Sequence, residues 1–156
     1  MDFQGLTELF HYEQLPSFLV QMVFAIGIGL VIGHQRHTVG KIMGKRSTII
    51  LILGSFLFTY ASLRVGTDHG RVVAQIVTGV GFIGAGIIFK REDKEIINLT
   101  TAILVWTVAA LGVVVGLGLI IEAVVATAVL YYILRTVESR REINGKEEES
   151  DYVQDR

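Results

Sequence analysis

The chain has 156 residues, of which 51% are apolar, with a mean hydropathy of +0.55 and a formal charge of −1. A soluble domain of that length cannot hide so much apolar surface in one core, and a separate catalytic module has no room beside the hydrophobic stretches. With no cysteine, disulfides, thiolate metal sites and cysteine nucleophiles are excluded.

The first sixteen residues carry Asp2, Glu8 and Glu13 but no Lys or Arg, unlike the basic start of a secretory leader, so the first apolar run is expected to stay as a helix. Phe3, Leu6, Leu9 and Phe10 are spaced by three and four ahead of Pro16. Residues 1–16 therefore form either a short helix on the outer leaflet or a frayed segment. Crossing the hydrocarbon takes about 20 mainly apolar residues, and roughly 17 can suffice. Four blocks reach that length: Ser17–Gly33, Ser47–Val65, Val72–Phe89 and Leu99–Val137. The last is about twice one span, and Gly116-Leu117-Gly118 near its middle is the natural place to turn. The expectation is an all-α, polytopic integral membrane protein with five transmembrane helices over residues 17–137. The stretch 138–156 is dense in both charges without an apolar period, which predicts a charged tail in solvent.

Basic residues collect on the cytoplasmic side of membrane proteins. Arg36, Lys41, Lys45 and Arg46 follow the first span, Lys90, Arg91 and Lys94 follow the third, and the fifth leads to Arg135, Arg140, Arg141, Lys146 and Arg156. Those twelve fall on one side of a five-span arrangement, against Arg64 and Arg71 on the other. The N-terminus is expected outside and the C-terminus in the cytoplasm. Four spans would put the basic tail opposite the two basic loops.

Several motifs have plain structural readings. Gly79-Val80-Gly81-Phe82-Ile83-Gly84 spells the dinucleotide-binding G-x-G-x-x-G, but it lies mid-membrane without the strand, exposed helix start and acid that the fingerprint needs. Small residues four apart let membrane helices approach backbone to backbone. Gly29 with Gly33, Gly81 with Ala85 and Gly112 with Gly116 have that spacing, and Gly79, Gly84 and Gly86 extend the set of expected packing positions. Asn98-Leu99-Thr100 reads as a helix cap from Asn98, Thr100 and Thr101 rather than a glycosylation site. His34 and His37 are three apart, but two imidazoles without a third ligand do not define a metal site, and its identity stays open. Within the spans the polar residues include Gln21, Gln75, Thr78, Thr107 and Glu122. Glu122 is the one ionisable group clearly inside, and Arg71, Gln75 and Asp68 fall at a similar depth. The four are a candidate polar network, with Glu122 held by Arg71. No triad, phosphate cradle or paired-carboxylate site is present, so an enzyme is not expected and no cofactor is called for.

Gly44-Lys45-Arg46-Ser47, the run Asp68-His69-Gly70-Arg71 through Gly84-Ala85-Gly86-Ile87-Ile88, and Leu99-Thr100-Thr101-Ala102 with Trp106 together resemble the MgtC/SapB family in order and spacing over residues 18–135. The resemblance implies a bacterial inner-membrane protein with about five spans, linked to growth in low magnesium and, in pathogens, to survival inside host cells. Some relatives carry the label of magnesium transporter, while others act as regulators that bind membrane proteins, including the rotary ATP synthase. The family commonly has an acid before the arginine that ends the first span, where this chain has Gln35 before Arg36, which weakens a transport mechanism built on that acid. Many relatives add a soluble C-terminal domain, which is not expected after Arg156.

Two functions are compatible with these residues. One is a non-catalytic regulator that docks laterally on partner membrane proteins in the bilayer, without nucleic acid. The other is a small oligomeric transporter of a cation (Mg²⁺) or proton through Glu122, Arg71 and Gln75. Mg²⁺ favours several oxygen ligands, and one intramembrane acid per chain is few unless subunits of a homo-oligomer share a site.

Overall fold

The computed structural model describes residues 14–38, 43–65, 68–90 and 96–136. The expectations for residues 1–13 and for the tail beyond 136 lie outside them. Five helices are present among the described residues: α1 (Leu15–Thr38), α2 (Lys45–Ser62), α3 (His69–Ile87), α4 (Leu99–Gly116) and α5 (residues 120–136). Each predicted apolar block became a helix, shifted by a few residues at its ends. The long last block breaks where expected, with α4 ending at Gly116 and Gly118 at φ +83, a left-handed backbone that glycine adopts without strain.

Local chemistry accounts for the helix ends. Pro16 sits in the first turn of α1, where its missing N–H is not needed, and Arg36 and His37 occupy the last turn, facing the negative end of the helix dipole. Asp68 caps α3, its Oδ1 accepting from the backbone N–H of Arg71 at 3.2 Å. Asn98 differs from expectation. It does not cap α4; it stands at φ 65, and its Nδ2 donates to the Ile87 carbonyl at 3.4 Å. Between those two points runs a minimal antiparallel ladder, β1 (Phe89–Lys90) with β2 (Ile96–Ile97), pairing Phe89 with Ile97 and Lys90 with Ile96. The helical reading did not include it, because two residues carry no detectable period.

Helices α2 and α4 form the centre, α1 packs on α2, and α3 rests mainly on α4. The core runs from Ile28 and Ile32 through Ile52 and Phe56 to Leu104, Val108 and Val115, with Ala123 and Leu134 from α5 joining it. At one end Phe18, Phe56 and Tyr60 stack with centroids 4.8–5.8 Å apart, and the Arg64 guanidinium lies 3.4 Å from the Tyr60 ring centre. Helix α5 sits on the α1 flank: Tyr131 shares a crevice with Leu30, His34 and Lys45, and a Cβ on Gly118 would lie 3.7 Å from Gln21. Thus α3 and α5 lie on different flanks of the central pair.

Three helical stretches, Leu15–His37, Gly70–Ile87 and Leu99–Gly116, are long and apolar enough to cross a membrane. Lys45 and Arg46 dilute the apolar content of α2, which begins with them. Several threonines inside the helices are satisfied locally. Thr48, Thr59, Thr78, Thr107 and Thr127 each donate to the carbonyl four residues back, at 2.7–3.1 Å.

Candidate functional site

The expected network divides. Arg71 Nε lies 3.6 Å from Asp68 Oδ2, one turn back on its own helix, and both side chains are largely exposed at 78% and 68%. An exposed pair of that kind contributes little to stability. Gln75 joins Arg71 in lining a groove between α2 and α3. Glu122 is elsewhere: it is exposed on α5 and makes no ion pair with Arg71 among the described residues. The expectation that Arg71 holds Glu122 is therefore corrected. Equal depth along two helices did not mean adjacency, because α3 and α5 flank the bundle on different sides.

The charge that the fold does enclose is Arg36. It is 2% exposed, and its Nη2 donates to Thr101 Oγ1 at 3.2 Å, linking the last turn of α1 to the first turn of α4. Gln35 beside it is also buried. A charged donor in such a place needs polar partners, since burial without them would cost several kcal/mol. Of the residues singled out by motif, Arg46 and Thr100 are exposed, and Trp106 is half-exposed, facing away from the core. Thr101, read from the sequence as part of a cap, is the acceptor instead. Its position one residue after Thr100 turns it inward, which spelling alone does not reveal.

The glycines separate into two groups. A Cβ on Gly29 would stand 3.0 Å from Ile49 Cα, and one on Gly33 2.7 Å from Lys45 Cα, so α1 meets the α2 backbone there. Gly112 is pressed against the Ile52 carbonyl, and a Cβ on Gly116 would reach 2.7 Å from Thr59 Cβ, so α4 meets α2 likewise. These four are the close contacts that the spacing predicts. On Gly84 a Cβ would make an ordinary contact at 3.4 Å with the Ala102 carbonyl. At Gly79, Gly81 and Gly86 it would meet nothing within 4 Å. Their expected packing role is corrected: Gly79 borders an open groove between α2 and α3, and Gly81 and Gly86 are exposed on α3. Ala74, Thr78, Gly81 and Ala85 recur by three and four along α3 and are all exposed. They form a stripe of small residues that no helix among the described residues covers.

His34 and His37 are exposed, and no group of three metal-ligating side chains occurs among the described residues.

Comparison with known proteins identifies the family. SapB of Bacillus subtilis (strain 168) is 36% identical over 133 residues, 79% of this chain and 56% of that protein. MgtC of Salmonella typhimurium (strain 14028s) is 34% identical over 114 residues, 72% of this chain and 49% of that protein. YhiD of Escherichia coli (strain K12), named provisionally as a magnesium transporter, is 39% identical over 113 residues, 66% of this chain and 52% of that protein. The chain thus spans about half the length of the curated relatives it matches. No solved structure matches it. The MgtC family model matches residues 22–142, which take in most of α1 and everything from there to the end of α5, and the chain belongs to the MgtC family.

Proposed function

We propose that this protein is a non-catalytic regulator in the bacterial inner membrane, which adapts cells to low magnesium by docking laterally on another membrane protein. Its five helices all cross the bilayer, with the N-terminus outside and the C-terminus in the cytoplasm. That orientation is supported by the twelve-to-two partition of basic residues. The magnesium connection comes from YhiD, whose name refers to that ion. The rotary ATP synthase, implied by family resemblance, is one partner of the right kind.

The observation that carries the reading is the exposed stripe Ala74, Thr78, Gly81 and Ala85. The other small-residue pairs, Gly29 with Gly33 and Gly112 with Gly116, are consumed by backbone contacts inside the chain. In lipid, helix association is driven by close packing at small residues rather than by the hydrophobic effect. The stripe on α3 is free to supply such a contact to a second protein. A transport path through Glu122 has less behind it, since Glu122 is not among the residues that line the groove with Arg71 and Gln75.

A flux measurement separates the two classes. Purified protein in sealed vesicles with a Mg²⁺-sensitive dye inside should give no more ion entry than empty vesicles. Entry that rises with the amount of protein would establish the transporter instead.

A further inference from the structure

Helix α3 has a second unpartnered face. On the side turned toward α2 it leaves a groove of about 840 Å³, walled by Gly54 and Phe58 on α2 and by Arg71, Gln75, Gly79 and Ile83 on α3. Gly79, Val80 and Ile83 lie on the side of α3 away from Gly81, while Arg71 stands at the N-terminal end of both faces. The groove exists because α3 leans on α4, with Gly84 beside Ala102, while Gly54 and Gly79 on its two walls have nothing within 4 Å of where a Cβ would be.

Its length and charge identify an occupant. From Arg71 to Ile83 the groove follows twelve residues of helix, about 18 Å at 1.5 Å per residue. One leaflet of hydrocarbon is about 15 Å thick, half of the bilayer core. The walls are mainly apolar, with Ser55 beside Gly54 and, at one end, Arg71 and Gln75 one turn apart. Asp68 occupies the Nε side of the guanidinium, and the terminal nitrogens of Arg71 make no hydrogen bond among the described residues. A guanidinium so placed offers a fork of donors to phosphate. A lipid fills one leaflet and presents its charge at the interface, which suits an apolar groove with one basic end.

The geometry points to a binding site for one anionic glycerophospholipid, in the leaflet that meets the N-terminal end of α3. Its acyl chains lie between α2 and α3 over Gly54 and Gly79. Its phosphate sits at the terminal nitrogens of Arg71, with the Gln75 amide one turn deeper, at the level of the ester carbonyls.

The test uses the full chain in mild detergent, titrated separately with phosphatidylglycerol and phosphatidylcholine of the same acyl chains and followed by native mass spectrometry. The unaltered protein should retain one phosphatidylglycerol in preference to phosphatidylcholine. Arg71→Gln, an exposed change that does not threaten the fold, should lower that preference about five-fold, the ratio that one basic side chain contributes at an anionic surface. Gly79→Leu should fill the groove and remove retention of both lipids. Equal retention of the two lipids, an unchanged preference in Arg71→Gln, or a second copy of the chain bound in place of lipid would each overturn the assignment.

Discussion

Arg36 and Thr101 lie 65 positions apart in the chain, yet the guanidinium Nη2 of one donates to the hydroxyl of the other at 3.2 Å in a buried setting. This contact ties the end of α1 to the start of α4. It places the enclosed charge of the fold at the level of the loops that follow α1 and precede α4. Hydrogen bonds to charged groups are worth about 1.5–3 kcal/mol. Thr101→Val should lower stability by that order in a thermal melt in detergent, while Thr101→Ser, which keeps the hydroxyl, should restore most of it. A Val variant as stable as the unaltered protein would show that the contact is incidental.

The close-approach glycines make a second prediction. Any side chain at Gly33 or Gly112 must push α1 or α4 off the α2 backbone, and forced overpacking costs about 1–3 kcal/mol or more. Gly33→Leu and Gly112→Leu should therefore reduce the yield of monodisperse protein sharply. Gly86→Leu should not, because a Cβ there meets nothing within 4 Å. Equal losses at all three positions would mean that α3 packs more closely than described.

A third prediction concerns charges that share a depth without sharing a contact. Arg71→Gln and Glu122→Gln should each change stability by less than about 0.5 kcal/mol, as expected for surface changes, and their effects should add. A coupling well outside error in the double variant would bring α3 and α5 together and contradict the arrangement of the flanks.

Much of this was legible in the sequence, and the failures have a common cause. The five helices among the described residues, the break at Gly116-Leu117-Gly118 and the contacts of Gly29, Gly33, Gly112 and Gly116 follow from local period and small-residue spacing, which act within one or two helices. The pairing of Glu122 with Arg71 failed because depth can be read from a sequence but lateral order cannot. The same gap hid the Arg36–Thr101 contact, although both residues belonged to segments singled out by family resemblance. Spacing also could not distinguish Gly29 from Gly81. Both belong to small-residue pairs, and only the three-dimensional arrangement shows which pair is already occupied.

The central claim is that the outward stripe of α3 meets another membrane protein. Gly81→Leu tests it most directly, because among the described residues no other helix comes within 4 Å of a Cβ there. The measurement is growth in low magnesium of a strain whose own copy is deleted and replaced by the variant, with membrane levels checked in parallel. The account predicts normal levels of Gly81→Leu in the membrane together with loss of growth support. Full support of growth at normal levels would contradict it, and the small residues on α3 would then face lipid alone.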